Sequence, residues 1–292
     1  MAATDTLREA PAVRSGSGLV SSRWPAELDL WFAPEGGRTR LRRQHRGPLV
    51  VQQPFYPEAD GTCHVYVLHP PGGVAGGDTL SQRFHLADGA RALLTTPSAT
   101  KFYRSAHAAS GQETLIRVGA GAVCEYLPQE TIVFDGADAA IATRVELAPD
   151  AVYVGWDFVS LGRPASGEAF AEGHLRQRTE IRRAGRPIWF ERLSLPGRSA
   201  LGAAPYALAG APIMATMVYA GPMMEDTDAR VRDAVGADGA GLFSVSQLDD
   251  VLVCRFLGTK MYRAKALFAR AWDALRTGSM GKPASVPRIW AT

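Results

Sequence analysis

Long apolar runs are missing. No stretch of roughly 18 consecutive apolar residues, the length a membrane helix needs, occurs in the 292-residue chain, and its N-terminus has no short apolar core of a secretion signal. A spanning helix and a secretory leader are therefore not expected, and the chain is expected to work in the cytoplasm. Cysteine is scarce too. Cys63, Cys124 and Cys254 are odd in number, far apart and without a C-x-x-C pair, which excludes a disulfide framework and a thiolate zinc site. Neither sign of charge dominates: 32 basic residues face 29 acidic ones, for a net +3, too even a balance for nucleic acid to be the main partner. G-x-S-x-G, H-E-x-x-H and a cysteine with an evident activating histidine are all absent, so nucleophilic and zinc-hydrolase chemistry has nothing to hold.

What is present is strand after strand. Residues 1–22 are small, polar and interrupted by Pro11, Gly16 and Gly18, the composition of a flexible tail, and Asp5 and Glu9 argue against a transit peptide. From residue 23 to 292 the chain reads as a single domain with ample apolar content, 46% of all residues, for one large core. Period-two alternation dominates to about residue 258, as in Leu28, Leu30 and Phe32, and recurs through 113–118, 122–126, 140–147, 152–159, 174–183 and 188–195. Asp60-Gly61, Asp88-Gly89, Asp135-Gly136 and Asp238-Gly239 are turn signals.

After Pro205 the pattern changes. Strands are expected at 213–219, 242–248 and 251–257, and a short helix at 227–235 with Asp226 as its N-cap. A longer helix is expected from Thr259 to about residue 277: Met261, Ala264, Phe268, Ala271 and Leu275 recur at three or four, Gly278 ends it, and Lys265, Arg270 and Arg276 fall off the stripe. Residues 281–292 then form an extended tail ending in Ile289-Trp290. The fold class is mainly β with a small C-terminal helical part of two helices.

One stretch resists every regular element. Leu68 to Leu80, L-H-P-P-G-G-V-A-G-G-D-T-L, places two prolines and four glycines between strands, so it is a shaped loop. It is not a phosphate-binding Walker loop, because Asp78 stands where Lys and Ser or Thr are required. Nor is it a dinucleotide loop, because a strand and not a helix follows.

Four acids stand out beside such motifs. Glu130 and Asp135 bracket the apolar run Thr131 to Phe134, and each must meet a partner, a metal or water if buried. Asp78 ends the glycine loop, and Glu168 closes L-G-R-P-A-S-G-E, where it can also simply pair with Arg163. Asp135 has the bland alternative of an Asp-Gly turn. If these acids line one wet passage, they offer oxygen ligands to a divalent cation, with His69 or His64 as weaker imidazole ligands suited to nickel. Lys101, Tyr103 and Arg104 suit an anion or a solvent face, and the arginines of Thr39 to Arg46 suit edge protection or, less readily, an acidic partner. Glu130 and Glu168 as the paired carboxylates of a glycoside hydrolase are the best enzymatic alternative.

The glycine loop resembles the H-P-P-G-G-x-x-G-G-D signature of the urease accessory protein family UreD, also called UreH. Thr95 to Ser105 (T-T-P-S-A-T-K-F-Y-R-S), Leu127 to Ala137 (L-P-Q-E-T-I-V-F-D-G-A), Leu161 to Glu168 and Pro287 to Thr292 (P-R-I-W-A-T) match in order as well. Ala75, Ser98, Cys254 and Phe256 depart from the family pattern without touching a charged motif position. The resemblance implies an irregular β-helix-like stack of strands and a non-catalytic scaffold in nickel delivery. Its implied partners are UreF, the GTPase UreG and the urease apoprotein, with a dimeric accessory complex among the expected assemblies. No cofactor would be permanently bound; Ni²⁺ would be in transit, and GTP belongs to UreG. In that picture Asp78, Glu130, Asp135 and Glu168 are the expected passage contacts, with His69 a weak fifth. Phe268, Trp272, Ile289 and Trp290 are the expected partner-binding residues.

Overall fold

The computed structural model describes residues 25–105, 108–236 and 241–291. The expected N-terminal tail, the Asp238-Gly239 turn and Thr292 lie outside the described residues. Two sheets face each other around one core. The first contains β1 (Pro25–Glu35), β2 (Arg38–Arg46), β5 (Thr79–Leu86), β8 (Ser110–Val118), β11 (Asp138–Leu147), β13 (His174–Arg183) and β14 (Arg186–Pro196). Its order is β14-β13-β11-β8-β5-β1-β2. The second contains β3 (Val50–Val51), β4 (Cys63–Leu68), β6 (Arg91–Thr95), β9 (Val123–Tyr126), β12 (Val152–Leu161), β15 (Ile213–Ala220), β16 (Gly241–Leu248) and β17 (Val251–Gly258). Its order is β16-β17-β15-β12-β9-β6-β4-β3.

The chain alternates between the sheets, and successive visits pair in parallel: β4, β6, β9 and β12 on one side, β5, β8, β11 and β13 on the other. This is the β-helix-like stack, four coils high, in which each coil covers the apolar face of the last. An antiparallel β1–β2 hairpin flanks the first coil, while antiparallel β14 and β15–β17–β16 extend the last. Turn signals work as expected at Gly61, Gly89 and Gly136, which take φ of 73°, 70° and 75°.

Two short strands, β7 (Thr100–Phe102) and β10 (Thr131–Val133), form a third narrow face. Val74 bridges Phe102, Phe102 pairs with Val133, and Val133 pairs with Leu161, so the glycine loop and three further motifs are neighbouring rungs of one ladder. All four side chains are buried. The glycines let the first rung close: Gly77 sits at φ 89°, and a Cβ on Gly73 would run into the Tyr103 ring of the next rung.

β12 is buried on both faces, which its near-continuous apolar sequence reflects. Tyr153, Val159 and Leu161 join the core between the sheets, whereas Val154, Trp156 and Phe158 join a second core under the helices. Three helices occur among the described residues: α1 (Ala200–Ala203), α2 (Thr227–Val235) and α3 (Met261–Met280). α1 has no periodic signal in the sequence. α2 has the expected bounds, but Asp226 makes no capping hydrogen bond and instead pairs with Arg230. α3 runs past Gly278 and stops at Gly281, whose left-handed φ of 68° ends it.

Candidate functional site

The four acids singled out by sequence do not gather into one cluster. Asp135 and Glu168 are linked: Glu168 Oε1 accepts the Asp135 N–H at 3.2 Å. Asp135 accepts the N–H groups of Ala171 (2.7 Å) and Glu172 (2.8 Å) and pairs with Arg104 (2.8 Å). Those backbone hydrogen bonds, aided by Arg104, hold its pKa below the usual carboxylate value. Glu168 is gripped by Arg163, which lowers its pKa likewise. Glu130 pairs instead with Lys265 of α3. Asp78 accepts the Ala75 N–H at 3.3 Å at the end of its own loop. Among the described residues no three His, Cys, Asp or Glu side chains are arranged to hold a metal ion.

His69 is placed differently. It is half-buried and lines a small interior cavity of about 40 Å³, together with Gln82, Gln112, Tyr126, Asp157 and Gln177. Burial lowers its pKa, an effect that Asp78 opposes. The same Tyr126, Asp157 and Gln177 also border a cleft of about 700 Å³ at the last coil, whose rim includes Glu191, Arg192, Tyr206 and Arg255.

The lining follows from strand parity. On β5, β8, β11 and β13 the inward positions at one end of the stack are apolar, with Phe84, Ile116, Val145 and Ile181 in register. One step along, the inward row is Gln82, Thr114, Thr143 and Thr179, and the next is Leu80, Gln112, Ile141 and Gln177. A polar band thus crosses the inside of an otherwise apolar stack, which sequence alternation announces as inward but does not join. Asp157 projects from β12 into this band. Burial, then the charge of Glu191, pushes its pKa up to about 6, with a Gln177 hydrogen bond opposing. Sequence reading passed over Asp157. The available signal was a carboxylate in the otherwise unbroken apolar run V-Y-V-G-W-D-F-V-S-L.

Of the residues expected to bind partners, two are enclosed by this chain itself. Phe268 and Trp272 are fully buried and face this chain's own second core, where Phe268 packs on Phe158 and Trp272 on Trp156. Trp290 is half-buried against Trp156 and Trp272, and its Nε1 donates to Thr95 Oγ1 at 2.8 Å. The C-terminal motif therefore closes onto the T-T-P motif. Ile289 keeps part of its surface.

A second polar group was missed entirely. Arg276, expected off the apolar stripe, is fully buried one turn beyond Trp272, in line with Ala264 and Phe268. Its guanidinium bonds Glu125 (2.9 Å) and Glu58 (2.8 Å), and Trp272 Nε1 donates to Glu125 at 2.7 Å. His64 lies 2.7 Å from Glu58, and Lys282 binds Glu58 and Asp60. Burial favours the neutral acid of Glu58, but hydrogen bonds from His64, Arg276 and Lys282 prevail and bring its pKa to about 2.

Comparison with known proteins puts these features in context. The sequence profile of the UreD urease accessory protein family matches residues 25–291. The urease accessory protein UreD 2 of Brucella anthropi is 58% identical over 274 residues, covering 94% of this chain and 100% of the relative. UreD of Dechloromonas aromatica is 45% identical over 277 residues (93% of this chain, 96% of the relative), and UreD of Azoarcus sp. is 43% identical over 293 residues, covering both chains fully.

Proposed function

Because the chain belongs to the UreD urease accessory protein family, we propose that it serves urease maturation as a scaffold without chemistry of its own. It passes Ni²⁺ toward the urease apoprotein, in a complex with UreF and the GTPase UreG. The polar band from His69 past Gln82, Gln112 and Gln177 to Asp157 is the observation that carries this reading. A cation in transit needs several weak oxygen ligands in series; a closed site of three or four anions would hold nickel and not release it. Amide and hydroxyl oxygens supply such ligands, and Asp157 adds one anion where the inner cavity meets the cleft. Asp78, Glu130, Asp135 and Glu168 act in this proposal one at a time, each giving up a present partner to touch the ion.

Glu130 and Glu168 are each held by a different cation, Lys265 and Arg163, and nothing in their setting favours the glycosidase reading. No helix among the described residues is long and apolar enough to cross a membrane. The test is co-expression of urease and its other accessory proteins with this chain, with Asp157→Asn, or without it, followed by metal analysis of purified urease. Nickel content should fall severalfold with Asp157→Asn and to the no-accessory level without the chain. Equal loading in all three overturns the role, and equal loading with Asp157→Asn alone removes this carboxylate from the route.

A further inference from the structure

We propose that the free edge of β2 is a docking strand for an extended, carboxylate-rich segment of a protein partner, an interaction separate from the nickel route. Among the described residues β2 ends its sheet and pairs only with β1. Its register places Arg38, Arg40, Arg42 and Arg46 on the outer face, opposite the outward residues of β1, and all four are exposed. Of the outward acids of β1, Glu35 stands opposite Arg38 at the hairpin end, whereas Glu27 and Asp29 are taken by Arg83 of β5 (3.5 and 2.7 Å). Arg40, Arg42 and Arg46 consequently have no carboxylate partner among the described residues, whereas Arg83, Arg117, Arg144, Arg178 and Arg182 of the same outer face are all ion-paired.

Two of the outward guanidiniums lie against aromatic rings. Arg42 lies 4.3 Å from the centroid of Trp31, which itself stacks on His85, and Arg38 lies 4.9 Å from that of Tyr56. Stacking restrains the plane of a guanidinium while leaving its N–H edge free, so less freedom is lost when it forks onto a carboxylate. Charges on an edge strand ordinarily keep it from sticking. Here Arg40, Arg42 and Arg46 also lack counter-ions among the described residues and lie beyond the part of the edge that Gly61 and Tyr56 cover.

The backbone completes the site. Thr39 turns its N–H to Gly61 O (3.0 Å) and its carbonyl to the Tyr56 hydroxyl (2.9 Å), both away from β1. By strand parity Leu41, Arg43 and His45 point their backbone groups the same way, and among the described residues no strand covers them beyond Thr39. An added strand would find ladder hydrogen bonds there and would place alternate side chains beside Arg40, Arg42 and Arg46. Only a segment with acids at every second position satisfies both.

The full chain is titrated with a short peptide of alternating Glu and Thr, at low salt and in about 0.5 M NaCl, where charge attraction is strongly screened. Saturable binding, slowed amide exchange at Leu41, Arg43 and His45, and weakening of about tenfold or more in Arg40→Glu/Arg42→Glu/Arg46→Glu are expected, since reversing charges that face a partner replaces attraction by repulsion. The Gln triple variant should fall between the two, and unchanged thermal melting of both variants shows that the fold is intact. Equal binding of a Lys-Thr peptide, insensitivity to the triple substitutions, or attraction without amide protection, as a generic basic patch would give with inorganic polyphosphate, overturns the docking strand. Urease nickel loading measured on the same variants reports the maturation role independently.

Discussion

At the scale of single residues, Asp157 ties stability to pH. A carboxylate whose folded pKa is raised from 3.8 to about 6 holds its proton in the folded state at a pH where the unfolded chain has released it. Stability from this group is therefore fully present below about pH 4 and is lost as pH rises to about 6, where the native carboxylate ionises. A shift of this size corresponds to at most about 3 kcal/mol, less to the extent that the cleft lets solvent reach the carboxylate. Asp157→Asn should remove that slope: urea midpoints measured from pH 4 to 7 should decline more steeply in the wild type than in the variant. Parallel curves would mean that Asp157 is solvated like a surface acid. The carboxylate was visible within its apolar run, but its role was not, because alternation gives the direction of a side chain and not what stands across from it. Glu130, Asp135 and Glu168 show the converse: their motif positions stood out, and Arg163 beside Glu168 was legible in the same loop, but only the structure supplied Lys265 for Glu130 and Arg104 for Asp135.

At the scale of elements, α3 is anchored by its own charges as much as by its apolar stripe. Arg276 pairs with Glu125 and Glu58 beneath the helix, and removing the cation alone leaves Glu125 buried without a counter-charge while Glu58 keeps Lys282 and His64, a loss of about 3–5 kcal/mol. Arg276→Met should lower the melting temperature sharply, and adding Glu125→Gln should recover part of it, since the second change removes the stranded charge. Glu58, with its pKa lowered to about 2, contributes stability that is present above its unfolded value and is lost as pH falls toward 2. In Arg276→Met this acid loss should begin at higher pH, which far-UV circular dichroism during acid titration checks. An unmoved acid limb would show that Arg276 is not what holds Glu58 ionised. The helix itself was readable, although its start was expected at Thr259 and it begins at Met261, because a spacing of three and four is a local property. Its buried arginine was not, although Ala264, Phe268, Trp272 and Arg276 share one spacing: an arginine on a stripe is ordinarily solvated, and only Glu125, more than a hundred residues away in sequence, makes burial tolerable.

At the scale of the whole molecule, a stack in which each coil leans on its neighbours predicts a gradient of protection. Amide exchange should be slowest in β6, β8, β9 and β11, which have a coil on both sides, and faster in β2, β14 and β16, each the last strand of its sheet. Uniform protection from β2 to β16 would contradict a coil-by-coil stack. The sequence by itself determined most of the strands, the turns at Gly61, Gly89 and Gly136, the two C-terminal helices and the family, because alternation, Asp-Gly pairs and five ordered motifs are all written within short windows; β6 and β7 were not legible there. Only the tertiary structure decided that four of those motifs are rungs of one ladder, that the fifth closes on the T-T-P motif, and that Gln82, Gln112, Gln177 and Asp157 share an interior. The physical reason is register: parallel pairing joins residues some thirty positions apart through hydrogen bonds that no local pattern encodes.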